Sequence, residues 1–465
     1  MRLILIRHGQ AENRALDGSD AHRALTPSGR EKLENVYPSL ARFLNAKDHC
    51  TVWTSPKTRA LQTAEVLCRY MPRVSPVIQP FLREGDFEAF AKALADHDHG
   101  ETIVVVGHEP YLSDWVREMT GLDVHFKKGQ GELLYLSPKA PREAIRINKI
   151  DFEQMRTLDL YSVPLGISIA RLICEQHKHI VSARDAFLED PDDSDALSAL
   201  RVALRRQYAL LEFIAPYCKR KVFRKAEKRY LSLYDDLEEL RGINAIFKTI
   251  HNSRKLDLLP LADAMIVEQN SAVMTLSEQL SREESEDDYN EALHQTIAAL
   301  MTAKETAPLE DLARKQLAAR YQKVQEAVLS TDLTDLSAIE ALRSLCKTSR
   351  YLFEFFSPLA NYAQARQYLR IRRLNQRLSV YCDTVYNVAQ LEEILGEESG
   401  AGSRALRIYR QMMADSASAQ MAVVKTLVGE MEDEVAAQKG RKKIVAKKRS
   451  KKKKKKYKKQ ATSGK

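Results

Sequence analysis

The sequence predicts two folds in one chain. The first is an α/β domain with a mostly parallel sheet and flanking helices. The second is an all-α region of two repeated helical bundles, ending in a disordered basic tail. Three observations predict this. Short apolar runs, Leu3-Ile4-Leu5-Ile6 and 102–106, alternate with helical stretches before residue 150. From about 160, Gly and Pro thin out and apolar residues recur at helical spacing, as at Leu197, Leu200, Leu204, Tyr208 and Leu211. Finally, the pattern of 199–216 returns without a gap at 341–358, which reads as a second copy of one helical unit.

Taken in order, Leu3–Ile6 and 102–106 read as buried parallel strands ending in turn-like sequence. Thr26-Pro27 and Ser55-Pro56 each set an N-cap residue before a proline suited to the first helical position. Gly107-His108-Glu109-Pro110 follows the second strand and opens another helix through Trp115. The expected domains are 1–150, a helical domain over 160–400, a terminal helix over about 404–434 and a disordered tail over 435–465. The acidic stretch 281–291 is expected as a solvated loop or helix end, and 398–403 as a linker.

The 465 residues carry a net charge of +10, unevenly placed. Segment 1–150 holds +2 and 151–434 holds −8, while 435–465 holds +16 with no acidic residue. The basic balance therefore belongs to a tail that should self-repel, and the whole chain is not thereby a nucleic-acid binder. Such a tail attracts polyanions generally: nucleic acid, polyphosphate or an anionic surface. No apolar run is long enough for a membrane span, and the opening run is too short for a signal-peptide core. The six scattered Cys form no Cys-x-x-Cys pair, so neither a disulfide framework nor a zinc site is expected. A reducing cytoplasm is the expected compartment.

Arg7-His8-Gly9 directly follows the first strand, Arg59 lies in the first turn of the helix after Ser55-Pro56, and His108 follows the second strand. Two Arg and two His thus converge from three loops. Guanidinium forks match phosphate oxygens, and a neutral imidazole is a nucleophile that needs no metal or other cofactor.

These residues, with Leu25-Thr26-Pro27-Ser28-Gly29, the run from Ser55 to Ala64 and Val106-Gly107-His108-Glu109-Pro110, resemble the histidine phosphatase superfamily, most closely its short SixA-type phosphohistidine phosphatases. The resemblance implies that His8 is phosphorylated while Arg7, Arg59 and His108 hold the phosphoryl oxygens. Substrates would be a phosphohistidine protein or another phosphorylated protein or small phosphate. Relatives with a dedicated acid carry a Glu after the third strand, where Glu84 and Asp86 stand here as candidates.

In the helical half, Arg201, Arg205 and Arg206 share one helix, and Arg343, Lys347 and Arg350 share its repeat. Spacings of four and seven align 201 with 205, and 343 with 347 and 350. Ion pairing with neighbouring carboxylates explains such rows, as does a basic groove for a polyanion. The repeat resembles the CHAD domain, which implies inorganic polyphosphate as a partner. It departs from that family at Ser198 and Glu340, where His is usual, and at Arg241-Gly242-Ile243-Asn244. Two other functions stay open: a polyphosphate-binding scaffold with a vestigial phosphatase site, and an enzyme that hydrolyses polyphosphate itself.

Overall fold

The computed structural model describes residues 1–13, 20–45, 49–97, 101–137, 140, 142–158, 165–304, 307–395 and 401–462. The chain forms two compact units. One comprises Met1–Leu237, Ser277–Ala318 and Arg350–Leu369; the other comprises Glu238–Leu276, Ala319–Ser349 and Arg370–Lys465. The helical region is therefore divided, and its first part belongs to the same unit as the N-terminal domain.

That domain is built on six strands: β1 (Arg2–Arg7), β2 (Cys50–Thr54), β3 (Pro76–Ile78), β4 (Thr102–Gly107), β5 (Gly131–Leu136) and β6 (Ala144–Ile150). Their order is β3-β2-β4-β1-β5-β6. The first four run parallel, and β5 and β6 are antiparallel to their neighbours. Leu3, Ile4, Leu5 and Ile6 are fully buried, as are Ile103, Val104, Val105 and Val106. Side chains buried on both faces are why these strands read as unbroken apolar runs. Seven helices accompany the sheet: α1 (Pro27–Glu34), α2 (Tyr37–Asn45), α3 (Thr58–Cys68), α4 (Phe81–Glu84), α5 (Phe87–Ala95), α6 (Tyr111–Thr120) and α7 (Phe152–Thr157). On one side Trp53, Phe90 and Trp115 anchor the core, with the last two rings stacked at 4.3 Å.

Local sequence explains several starts. Thr26 caps α1 by accepting from the Gly29 N–H at 3.0 Å, with Pro27 first in the helix. Ser55 does not cap α3 as its sequence context suggests. Its backbone N–H extends the sheet to Val106, its hydroxyl meets His108, and the helix starts at Thr58. Segment 80–86 is not simply a loop: it contains α4, closed by Gly85 in the left-handed region at φ 77°. The domain also continues past 150, because Asp151 and Gln154 form a capping box that starts α7.

The remaining helices are α8 (Leu165–Glu189), α9 (Ser194–Ile214), α10 (Arg220–Asp235), α11 (Glu238–Ser253), α12 (Leu259–Ser281), α13 (Glu283–Met301), α14 (Leu309–Ser330), α15 (Leu336–Phe356), α16 (Tyr362–Leu395) and α17 (Ala401–Thr462). The internal repeat is structural as well as sequential. Helix α9 starts at Ser194 and α15 at Leu336; α11 ends at Ser253 and α16 at Leu395. Both intervals equal the sequence offset. The copies differ in one respect: a break between α10 and α11 where α16 runs on unbroken. In the first unit, the Tyr135 hydroxyl of β5 donates to the Ser357 carbonyl at 3.0 Å, fastening sheet to helices. The second unit has its own core, including Ile246, Leu261, Met265, Leu391 and Tyr409.

Segment 281–291 lies at helix ends, one of its two expected readings: α12 closes at Ser281 and α13 opens at Glu283, where acidic residues suit the positive end of the helix dipole. Helix α17 is assigned from Ala401 to Thr462 and includes the expected terminal helix over 404–434. Residues 398–400 of the expected linker and 463–465 of the tail lie outside the described residues. No helix among the described residues is long and apolar enough to cross a membrane.

Candidate active site

Sheet register assembles the site. In the parallel β1–β4 pair Arg7 sits opposite Gly107, so the next residue of each strand is a histidine. The His8 N–H bonds the Gly107 carbonyl at 3.1 Å, and the two imidazoles lie 5.1 Å apart at their centroids. This is the carboxyl edge of an open sheet where the strand order reverses, the usual ligand crevice of such folds.

Helix α3 ties the crevice together one residue at a time. Thr58 N–H bonds the Ala21 carbonyl, Gln62 accepts from Leu25 N–H at 2.8 Å, and the Thr63 hydroxyl accepts from Gly9 N–H at 3.0 Å. Arg59 points between them. Its Nε donates to Nε2 of His8 at 3.0 Å, and its Nη1 donates to the Asp20 carbonyl at 2.7 Å. Gly9 keeps this turn tight: a Cβ there would lie 2.8 Å from Leu33 Cδ1 and require that side chain to shift.

These bonds fix the His8 tautomer. Nδ1 lies 2.7 Å from the Gly9 carbonyl, which only accepts, so Nδ1 carries the proton. Nε2 then holds a lone pair, toward which the Arg59 Nε–H is directed. Burial, foremost, with the guanidiniums of Arg59, Arg7 and Arg23, pulls His8 down to about 3 despite the bond to Gly9. Burial, with His8, Arg59 and Lys57, likewise pulls His108 down to about 2. Both rings are therefore neutral near pH 7. His108 Nε2 pairs with the Ser55 hydroxyl at 2.8 Å, and its buried Nδ1 has no hydrogen-bond partner among the described residues. Arg7 donates from Nη1 to the Phe126 carbonyl at 2.8 Å.

The structure thus brings together the four residues singled out by sequence, Arg7, His8, Arg59 and His108. It does not bring Glu84 to them. Glu84 is exposed at the end of α4 and makes no hydrogen bond or ion pair with a described residue. Asp86 is occupied as the N-cap of α5, accepting from Ala89 N–H at 3.0 Å.

Two groups escaped the sequence reading. Asp20 accepts from Arg59 at 3.0 Å, Lys57 at 2.9 Å and Arg23 at 2.8 Å. Burial raises its carboxyl pKa, but these three bonds outweigh burial and hold the group well below the usual carboxylate range. Glu109 accepts from the Phe126 N–H at 2.8 Å and from the Ser113 hydroxyl, so it braces the residue whose carbonyl receives Arg7. The signal for Asp20 was its position three residues before Arg23. Its other two partners, Lys57 and Arg59, are distant in sequence and gave no local mark.

The basic rows of the helices divide. In the first unit Arg201 donates to the Tyr234 hydroxyl at 2.7 Å, and Arg205 lies 3.5 Å over that same ring. Arg206 lies 4.9 Å over Phe355. Neither Arg205 nor Arg206 is within ion-pairing distance of a described carboxylate. Arg350 stacks on Tyr351 and pairs with Glu354 at 3.2 Å. In the second unit Arg343 is held by Glu340 at 2.6 Å and Asp383 at 3.2 Å. Asp383 also pairs with Arg241, its own counterpart one repeat earlier. Lys347 is half-buried on the same helix. Ion pairing therefore accounts for Arg343 and Arg350, and not for Arg205 and Arg206.

Comparison with known proteins finds two families along the chain. Residues 3–101 match the histidine phosphatase superfamily (branch 1), and 171–392 match the CHAD domain. An 84-residue stretch is 38% identical to the mitochondrial serine/threonine-protein phosphatase PGAM5 of Xenopus laevis, and one is 40% identical to that of Mus musculus. Each stretch is 18% of this chain and only 29% and 27% of those relatives. Among solved structures, the protein histidine phosphatase SixA complexed with tungstate is 24% identical, at TM-score 0.28, over 32% of this chain and 97% of its own. The CHAD domain from the plant Ricinus communis is 15% identical, at TM-score 0.50, over 58% of this chain and 93% of its own, a likeness of fold. The chain carries a histidine phosphatase branch 1 domain at its N-terminal end and a CHAD domain C-terminal to it.

Proposed function

We propose that this protein is a metal-independent phosphatase that works through a phosphohistidine at His8, on a phosphorylated protein or small phosphate. The observation that carries this is the His8 tautomer: Nδ1–H on the Gly9 carbonyl and a lone pair on Nε2 beside Arg59. Nε2 attacks phosphorus, and the bond to the leaving atom breaks with its electron pair. Arg7, Arg59 and His108 surround the phosphoryl oxygens as charge spreads over them, which is electrostatic catalysis by groups already in place. Water then attacks the phosphohistidine, orthophosphate leaves, its proton passes to solvent, and Nε2 recovers its lone pair. Rapid quench of the enzyme during turnover, in chelator, tests this by the acid-labile, alkali-stable phosphate it traps.

The CHAD domain supports a second element of the proposal, a targeting role toward inorganic polyphosphate in the cytoplasm. Arg205 and Arg206, backed by aromatic rings rather than carboxylates, are the groups offered to such an anion. The Arg343 row, engaged by Glu340 and Asp383, contributes less. Affinity of the full chain and of its Arg205→Ala/Arg206→Ala variant for polyphosphate tests it.

A further inference from the structure

Beyond the catalytic quartet, two more cations stand at this site. Arg23 and Lys57 each place a nitrogen on the Asp20 carboxylate, at 2.8 and 2.9 Å, beside Arg59 on the same group at 3.0 Å. Through Asp20 both are joined to Arg59, whose Nε donates to His8 Nε2 at 3.0 Å. One carboxylate thus faces three cations. The Glu12 carboxylate is engaged elsewhere, with the Ala24 N–H at 3.2 Å, while its carbonyl takes Arg23 Nε at 2.7 Å. Arg23, Lys57 and Asp20 keep about a fifth of their side-chain surface exposed, whereas Arg59 keeps 6%. The first two cations are therefore at the rim, reachable by the part of a substrate beyond the transferred phosphoryl group.

The groups that are candidates for proton donation point the same way. A substrate leaving as an alkoxide needs a general acid. Asp20 is held ionised by three cations, and Glu84 is exposed and unengaged, so neither is a donor poised at the leaving atom. What the rim supplies is positive charge. That arrangement stabilises a leaving group that departs as an anion, and does little for one that departs neutral, such as an imidazole.

We infer that the substrate at His8 is a phosphoanhydride, whose leaving group is itself a phosphate received by Arg23 and Lys57. This rests on the phosphohistidine reading given above. His8 Nε2 bonds to the terminal phosphorus and the bridging P–O bond breaks. Its electron pair stays on the bridging oxygen, giving a phosphate chain one unit shorter. Water hydrolyses the phosphohistidine to orthophosphate, and the proton released goes to solvent. Asp20 keeps the two rim cations in place and yields part of their hydrogen bonding to the leaving phosphate.

The test compares inorganic tripolyphosphate with phenyl phosphate as substrates of the full-length protein and of Arg23→Gln, Lys57→Gln and Lys57→Arg. The expected result is that tripolyphosphate is turned over. The ratio of its kcat/KM to that of phenyl phosphate should fall about tenfold in each Gln variant and be largely kept in Lys57→Arg. A Gln variant that fails to fold is recognised by its tryptophan fluorescence, and the substrate preference of the unmodified protein still decides. Turnover of phenyl phosphate without tripolyphosphate, or equal losses on both, overturns the inference and leaves the phosphohistidine reading standing. Turnover of neither overturns both.

Discussion

Arg59 lies with its Nε 3.0 Å from Nε2 of His8, while its outer nitrogens are held by the backbone and carboxylate of Asp20. The guanidinium is thereby locked beside the nucleophile before any phosphate arrives, and no reorganisation is needed during reaction. Lysine cannot reproduce this fork, since it offers one nitrogen in place of three. Arg59→Lys is expected to lower kcat by about 10²–10³ with a small change in melting temperature. Steady-state kinetics on an aryl phosphate, beside a thermal melt, checks it.

The depressed His8 and His108 also set a pH dependence. Their folded-state values, about 3 and about 2, lie below the ordinary imidazole value. Between those limits the unfolded chain binds protons that the folded chain refuses, so stability falls as pH drops below about 6.5. From pH 7 to pH 5 the loss is on the order of 2 kcal/mol for each ring. Trp53 and Trp115 both lie in the N-terminal core, so tryptophan fluorescence in urea reports this domain. His8→Gln should weaken the pH dependence, and an unchanged dependence would contradict the burial argument.

Glu109 is expected to matter through Arg7. Glu109→Ala leaves the Phe126 N–H without its partner and loosens the carbonyl that orients Arg7. A loss of about 1–3 kcal/mol in stability and a lower kcat should follow. Glu109→Gln keeps an acceptor oxygen and should restore most of both, as denaturation and kinetics together will register.

In the helices, removing Arg205 and Arg206 together should weaken polyphosphate binding more than removing Arg343. The same comparison at low and high salt should show the difference shrinking as charges are screened. Glu340→Gln with Asp383→Asn should have the opposite sign, tightening binding as Arg343 loses both of its carboxylates and Arg241 keeps only Glu238. Isothermal titration with polyphosphate of defined length measures both.

How far this could be read from sequence depends on distance along the chain. His8 and His108 were legible because each follows an apolar strand, and strand register does the rest. The helical repeat was legible because its apolar spacing is local and its copies share one offset. Asp20 was not, since its meaning comes from Lys57 and Arg59, which only folding brings near. Ser55 misled for a related reason: its hydroxyl meets His108 and, at 3.4 Å, the Lys57 N–H, while the helix itself starts only at Thr58. The basic rows were ambiguous because charge periodicity is the same whether a carboxylate sits opposite, as for Arg343, or an aromatic ring, as for Arg205.

The central claim is that His8 Nε2 carries the phosphoryl group. Its most direct measurement is mass-spectrometric mapping of the phosphoenzyme trapped by rapid quench during turnover, for the unmodified chain and His8→Asn. The account predicts one phosphohistidine, at His8, forming no slower than turnover and absent from an inactive His8→Asn. Turnover retained by His8→Asn, or a phosphoryl group carried by any other residue, would contradict it.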